Sequence, residues 1–204
     1  MKLVDVLTRL KGIGEPVLRT ADVMACLNVD KAHASKLLAR LENSGHLVRA
    51  KRGLWVFPGA IEAMAISEHL TAPFPCYVSL QSALYFHSMI SQIPDLVYVV
   101  SVARTRVYRI SLGTYSIHHV HPSFFFGFDN AAGFSMASPE KAIIDVLYLG
   151  PAKSRLFSSI PELEFPDNFD FTRATQIVDR IASPGRRTLV EKRFMQLVDL
   201  YRKD

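Results

Sequence analysis

Five polar residues that can bind nucleic acid follow closely on one another near the start of the chain. They are Lys31, His33, Ser35, Lys36 and Arg40. Lysine and arginine neutralise phosphate, whereas histidine and serine can hydrogen-bond to phosphate oxygens or base edges. A second basic group follows at Arg49, Lys51 and Arg52. We predict that these eight side chains contact DNA.

An amphipathic helix would place the first group on one surface. Asp30 is a good N-cap, and the apolar residues after it recur at spacings of three and four: Ala34, Leu37, Leu38 and Leu41. The opposite face then carries Lys36 and Arg40 among alanines, which permit close approach to a duplex. Gly45 is suited to end the helix. The pattern predicts a recognition helix whose first turn meets base edges in the major groove.

The segments around this helix complete a small domain. A shorter helix is predicted from Thr20, whose hydroxyl would cap it, with Val23 and Leu27 pointing inward. After the recognition helix, residues 46–50 and 54–57 read as two strands joined by a basic, glycine-containing tip, Lys51-Arg52-Gly53. With an opening helix from Leu3 to Leu10, the pattern is that of a winged helix-turn-helix.

The charge of the chain is concentrated in the same region. Residues 1–58 hold ten Lys and Arg against five Asp and Glu, whereas residues 59–204 hold fourteen of each. The whole formal excess of +5 therefore lies on the predicted winged domain. Such a field favours a polyanion, and binding should weaken with salt. Winged helices also dock proteins, and a charged helix face is often only solvated, so these alternatives remain open.

The remaining sequence predicts a second domain. Pro58-Gly59 marks the expected boundary, which gives domains of residues 1–58 and 59–204. The predicted helices lie at 61–70, after a Ser79 cap, after Ser138, at 172–182 and at 189–201, and the predicted strands lie at 96–102, 104–109, 116–121 and 123–128. The fold class is therefore α+β, an N-terminal winged helix-turn-helix followed by a mixed α/β C-terminal domain with a terminal helical pair.

Three features of the second domain could suggest chemistry. His119 and His121 would share a strand face about 7 Å apart, a spacing that can suit a metal, but no acidic or cysteine ligand accompanies them. The aromatic run Phe124–Phe128 could stack on bases, although it is more typical of a sheet core. Ser138-Pro139-Glu140-Lys141 is explained as a helix start. We therefore predict no metal site.

An enzyme is the weakest of the functional hypotheses. A nuclease or nucleotidyl-transfer domain would need clustered carboxylates or a phosphate-binding glycine loop, and neither pattern is evident. Glu140 and Asp145 would lie about 140° apart around a helix and do not form a carboxylate pair. Proximity of Asp129 to Glu140 in the folded chain is the one arrangement that the sequence leaves open. We predict no catalytic residue and no cofactor.

The composition also bounds the compartment. No stretch approaches the roughly 20 uninterrupted apolar residues of a bilayer span, and Asp5 and Arg9 interrupt any secretion signal. Cys26 and Cys76 are distant in sequence and are predicted to be reduced packing residues. We expect a cytoplasmic protein that has no membrane partner.

Several motifs in order resemble one family. They are Gly53-Leu54-Trp55, the stretch Tyr77–Leu84, Phe126-Gly127, and Ala137-Ser138-Pro139-Glu140-Lys141-Ala142 followed by Asp145 and Leu147. Residues 1 to about 150 are similar in this respect to the AbiEi antitoxins and related transcriptional regulators of phage-defence loci, the type IV toxin-antitoxin systems. The resemblance implies that the N-terminal domain represses its own operon by binding repeats in promoter DNA. It also implies that the C-terminal domain counteracts a cognate nucleotidyltransferase-like toxin.

The C-terminal tail, residues 172 to about 203, is locally basic. Its candidate partner-binding residues are Arg180, Arg186, Arg187, Lys192 and Arg193. Extra DNA contacts, docking of an acidic partner and ordinary surface charge are the three readings. A repressor that senses a small ligand is the alternative function, and it would need an apolar pocket between residues 124–128 and the Ser138 helix.

Overall fold

The computed structural model describes residues 2–131, 133–150 and 163–201. Helices and two β-sheets are both present, which confirms the α+β class. The chain divides into two compact units, one of residues 1–70 with 108–114 and the other of residues 71–107 with 115–204. The division after residue 70 lies beyond the expected boundary at Pro58-Gly59. None of the described helices is long and apolar enough to cross a bilayer.

Three helices form the core of the first unit. They are α1 (Leu3–Lys11), α2 (Thr20–Leu27) and α3 (Lys31–Asn43). Their buried side chains pack into one apolar cluster that includes Val6, Leu10, Val23, Leu27 and the stripe of α3. The backbone between α2 and α3 turns at Asn28, which adopts a left-handed conformation with φ of 53°. Asparagine tolerates this conformation better than most residues, which explains the sharp end of α2.

A three-stranded antiparallel sheet completes this core. Its strands are β1 (Val17–Arg19), β2 (Val48–Lys51) and β3 (Leu54–Val56), in the order β1-β3-β2. The β2–β3 hairpin was predicted, but β1 was not, because three residues give no periodic signal. The last helix of this region, α4 (Ile66–Thr71), begins five residues after the predicted start at Ile61, and residues 58–65 form turns.

A six-stranded sheet is formed by strands between residues 76 and 137. Its strands are β4 (Cys76–Val78), β5 (Val97–Ser101), β6 (Arg106–Ile110), β7 (Gly113–His119), β8 (Phe128–Ala131) and β9 (Phe134–Ala137), in the order β6-β7-β5-β4-β9-β8. The β4–β9 and β5–β7 pairs are parallel, and the β4–β5 and β8–β9 pairs are antiparallel. The strand predicted at residues 123–128 is wrong. Instead, Pro122–Phe124 is a 3-10 turn, whose first position suits proline, and of the predicted strand only Phe128 lies in a strand, as the first residue of β8.

Four helices lie in the described part of the second unit. They are α5 (Leu80–Phe86), α6 (Pro139–Leu149), α7 (Phe171–Asp179) and α8 (Pro184–Tyr201). The start of α6 is as predicted, since the Ser138 hydroxyl accepts from the Lys141 N–H and Pro139 is the first helical residue. Helix α8 begins at Pro184, so the predicted joint Ser183-Pro184-Gly185 is partly helical. Proline is well suited to this first position, where its missing N–H costs no hydrogen bond.

Candidate nucleic-acid interface and a buried ionic network

Helix α3 presents a basic outer face. Its buried stripe, Ala34, Leu37, Leu38 and Leu41, is at most 3% exposed. The Asp30 carboxylate accepts the His33 backbone N–H at 2.8 Å and so fixes the first turn, as predicted. The five predicted contact residues of this helix are all exposed: Lys31, His33, Ser35, Lys36 and Arg40.

Two of these side chains are free cations. Neither Lys36 nor Arg40 has a side-chain ion pair within the described ranges. Ser35 differs, since its hydroxyl already donates its one hydrogen to the Lys31 carbonyl within the helix, at 2.7 Å. Ser35 therefore retains only acceptor capacity for an N–H donor, whereas Lys36 and Arg40 retain their full charge for phosphate.

The hairpin positions its basic residues differently from one another. Arg49 is exposed, and its guanidinium carbon lies 5.7 Å from the centroid of the Trp55 ring.

The indole N–H of Trp55 donates to the Thr20 hydroxyl at 3.2 Å. Thr20 is thus the first residue of α2 and not its cap, which corrects the sequence prediction. The cap position is Arg19, whose backbone N–H donates to Asp22 at 2.6 Å.

The hairpin tip is a turn of Arg52 and Gly53. Gly53 has a φ of +78°, a conformation that side chains with a Cβ rarely adopt, so the tight turn requires glycine here. Arg52 is exposed at this tip. Lys51 is the last residue of β2, and its ammonium donates to the Leu70 carbonyl at 2.9 Å. Arg49 and Arg52 are therefore the basic residues that the hairpin exposes most directly.

The histidines of the second unit do not converge on a metal site. His118 contacts Ser116 Oγ through Nε2 at 2.9 Å, whereas His119 contacts the Ala103 carbonyl through Nδ1 at 3.0 Å. His121 Nδ1 lies 2.8 Å from Ser123 Oγ. Across residues 2–131, 133–150 and 163–201, no three His, Cys, Asp or Glu side chains are grouped for a metal.

Acid should destabilise the protein through His118. Burial lowers the pKa of His118 to about 4, below its ordinary value of 6.5. Between pH 4 and pH 6.5, His118 therefore binds a proton in the unfolded chain but not in the folded chain. The free energy of unfolding falls as the pH falls through 6.5 towards 4. This effect of His118 lowers the free energy of unfolding by roughly 2 kcal/mol between pH 8 and pH 5. Urea unfolding at both pH values should show this loss, and His118→Gln should reduce it; equal pH dependence in both proteins would refute the assignment.

Sequence reasoning missed a buried ionic network on α6. Lys141 and Asp145 are one turn apart, their side chains are 0% exposed, and Lys141 Nζ lies 2.5 Å from Asp145 Oδ1. The other carboxylate oxygen accepts the Ser79 hydroxyl at 2.8 Å and the Tyr77 hydroxyl at 3.1 Å. The Ser79 hydroxyl thus binds Asp145 and does not cap α5, so the predicted Ser79 side-chain cap is wrong.

Burial dominates the titration of this network. It lowers the pKa of Lys141 and raises that of Asp145, and in each case the opposite charge of the partner works against the shift. Burial also raises the pKa of Tyr77 well above its ordinary value, with the Asp145 charge adding to the shift. Tyr77 therefore remains a neutral donor. The spacing of Lys141 and Asp145 within a mostly apolar helix was the sequence signal that could have revealed the pair.

An aromatic loop encloses the Lys141 ammonium. Nζ lies 3.5 Å from the centroid of Phe124 and 5.0 Å from that of Phe126, and it donates to the Phe124 carbonyl at 3.2 Å. A Cβ at Gly127 would lie 3.1 Å from the Lys141 side chain, so only glycine lets the loop pack this closely. The Lys141 side chain occupies space between this loop and α6, the place where the alternative function needed a ligand pocket.

Glu140 serves a different group of contacts. Its carboxylate accepts the Ser138 hydroxyl at 2.7 Å and the Asp170 backbone N–H at 3.2 Å, and Arg173 Nε lies 3.9 Å away. Glu140 and Asp145 thus have separate partners, as the 140° separation predicted. These contacts hold the start of α7 against the first turn of α6.

The basic residues of the tail differ in their contacts and exposure. Arg180 and Arg186 are exposed, and their guanidinium carbons lie 3.4 Å from the Phe126 centroid and 4.6 Å from the Tyr148 centroid. Arg187 instead donates from Nε to the Ile181 carbonyl at 3.0 Å. Lys192 is exposed and Arg193 is half-buried. The predicted end of the tail, residues 202 and 203, lies outside the described residues.

Comparisons with known proteins bear on the first unit. Residues 7–58 match the family model described as "Transcriptional regulator, AbiEi antitoxin". The match confirms the predicted family resemblance over these residues, which include most of α1, α2, α3 and the hairpin. This family is not an enzyme family.

Matches outside this family model add little. No curated protein matches the chain. The solved structure of the antibiotic-resistance factor ANT(2'')-Ia is 9% identical and matches 69% of this chain and 95% of its own, with a TM-score of 0.31. A likeness this low carries no argument about fold or function.

Proposed function

We propose, from the match of residues 7–58 to the AbiEi regulators and from the geometry of α3, that this protein is a DNA-binding repressor and antitoxin. Residues 1–58 act as a winged helix-turn-helix that represses its own operon by binding promoter repeats. Residues 59–204 form the effector domain that counteracts a nucleotidyltransferase-like toxin. The observation that carries the DNA-binding role is the exposed basic face of α3 opposite its buried stripe.

The surface suggests how the duplex is held. An α-helix fits the major groove, and the first turn of α3, with Lys31 and His33, supplies groups for base edges. Lys36 and Arg40 lie further along the same face and bind phosphates. On the wing, the Arg49 guanidinium lies within cation–π range of Trp55, and this attraction restricts the side chain, so less rotamer freedom is lost when it meets a phosphate.

A gel shift tests the repressor role. The purified chain should bind its own upstream promoter in preference to a scrambled duplex of equal length, and the preference should survive an increase from 0.1 M to about 0.2 M salt. Phosphate contacts alone would lose affinity steeply over this range for both duplexes. Equal binding to both duplexes that salt abolishes would contradict a sequence-reading repressor.

A growth assay tests the antitoxin role separately. Expression of the neighbouring gene should arrest growth, and co-expression of this chain from an unrelated promoter should restore it. The Lys36→Ala, Arg40→Ala variant should also restore growth, because its effector domain is unchanged. Failure of the wild-type chain to restore growth would remove the antitoxin part of the proposal and leave the repressor part standing.

A further inference from the structure

Two arginines on either side of the α7–α8 turn are held on aromatic rings. Arg180 follows the last residue of α7, and Arg186 lies in the first turn of α8. The Arg180 guanidinium lies over Phe126 and that of Arg186 over Tyr148, at the distances given above. Stacking leaves the edge of a guanidinium, with its forked N–H donors, directed away from the ring.

One aromatic cluster supports both arginines. The Phe126 ring meets Phe124 edge to face at 5.6 Å between centroids, and Phe124 stacks on Tyr148 at 4.2 Å. Phe124 is 2% exposed and lies under the Lys141 ammonium. The two rings that carry the arginines, Phe126 and Tyr148, thus both pack against the buried Phe124 ring, which fixes the position of one ring relative to the other.

Neither Arg180 nor Arg186 is paired with a carboxylate among the described residues. The Asp145 carboxylate is already bound to Lys141. The charge of Arg180 contributes to the lowered pKa of Lys141, which shows that the two cations repel each other. An anion on Arg180 would offset this repulsion and would gain charge-assisted hydrogen bonds from a preorganised fork.

We propose that Arg180 and Arg186 form a docking site for a short acidic segment of a partner protein, with each guanidinium binding one carboxylate. The site lies in the second unit and uses none of the residues assigned to DNA. It therefore goes beyond the proposed repressor role and does not depend on it.

Charge distribution favours a protein partner over a nucleic acid. Residues 59–204 carry fourteen basic and fourteen acidic residues, so the basic charge of the tail is local and this part of the chain as a whole lacks the net field that attracts a duplex. Asp179 and Glu191 are exposed on the same two helices and would repel a run of phosphates. A short peptide needs only two local contacts and can avoid both carboxylates.

The tail provides matched control residues. Lys192 is exposed on α8, carries the same charge as each arginine and has no aromatic platform among the described contacts. Arg187 is unsuitable because it donates to the Ile181 carbonyl, and Arg173 is unsuitable because it lies beside Glu140. Lys192→Ala therefore removes a charge without removing a preorganised fork.

Binding of a fluorescein-labelled acetyl-(Glu-Asp)4 peptide to the full chain, followed by fluorescence anisotropy, tests the site. The Arg180→Ala, Arg186→Ala variant should bind at least about tenfold more weakly than the wild type, while Lys192→Ala should change affinity less than twofold. The Arg180→Lys, Arg186→Lys variant keeps both charges but loses the planar fork, so its affinity should fall between these values. Circular dichroism should show unchanged folding, because both arginines are exposed.

Three outcomes would overturn this proposal. The first is equal loss of peptide affinity in Lys192→Ala, which would indicate only general charge attraction. The second is loss in Lys36→Ala, Arg40→Ala, which would place the peptide on the winged domain. The third is that the Arg180→Ala, Arg186→Ala variant loses more affinity for a 20-base-pair duplex than for the peptide, which would indicate a nucleic-acid site. Promoter binding by the winged domain is measured separately, so its failure is distinguishable from each of these.

Discussion

Substituting alanine for Lys141 is expected to lower the free energy of unfolding by about 3–5 kcal/mol. The change leaves Asp145 fully buried without its cation, while Ser79 and Tyr77 still direct their hydroxyl groups at the carboxylate. It also leaves a cavity beneath Phe124 and Phe126, whose rings pack around the ammonium. Urea unfolding followed by circular dichroism measures the loss.

A double variant separates the charge effect from the packing effect. Lys141→Met with Asp145→Leu removes both charges and keeps most of the apolar volume, so it should be more stable than Lys141→Ala. The hydroxyl groups of Tyr77 and Ser79 would lose their acceptor, so recovery should be partial. A Lys141→Ala variant within about 1 kcal/mol of the wild type would contradict the role given to this ion pair.

Replacing both Lys36 and Arg40 by alanine is expected to weaken promoter binding about 30-fold at 0.15 M salt. Each lost phosphate contact lowers the slope of log affinity against log salt by about 0.9, and the fold-change follows when the two contacts act through counterion release alone. Both side chains are exposed, and alanine has a high helix propensity, so α3 should remain folded. Titration of the duplex at several salt concentrations measures both quantities.

A charge-matched variant controls for the net charge of the domain. Arg9 and Lys11 are exposed at the end of α1, and replacing both by alanine removes the same charge from a different helix. This variant should retain nearly all of the specific affinity, since its effect is limited to the long-range field. Equal weakening in the two variants would show that α3 is not the surface that meets the groove.

The sequence was sufficient where a local pattern had one structural solution. The spacing of Ala34, Leu37, Leu38 and Leu41 predicted both the extent of α3 and its exposed basic face. Asp30 and Ser138 act as the expected caps, because a cap is a contact within one turn of helix. The hairpin followed from two short strands around a turn that needs the positive φ of Gly53.

Contacts between distant segments were beyond such patterns. Strand β1 has only three residues and exists because β3 offers it a pairing edge. Thr20 and Ser79 both looked like helix caps, yet their hydroxyl groups bind Trp55 and Asp145, which lie 35 and 66 residues away. A hydroxyl can satisfy either role, and only the packed core decides which partner it meets.

By itself, the sequence determined helix α3, the charge of the first unit and the family resemblance, since each depends on neighbouring residues or on composition. Tertiary structure alone decided that Tyr77, Ser79, Gly127, Lys141 and Asp145, drawn from separate motifs, meet around one buried ion pair. It also decided which tail arginines stack on aromatic rings and which one is held by a backbone carbonyl. The physical reason is that burial and pairing of a charge depend on long-range packing, which no local spacing encodes.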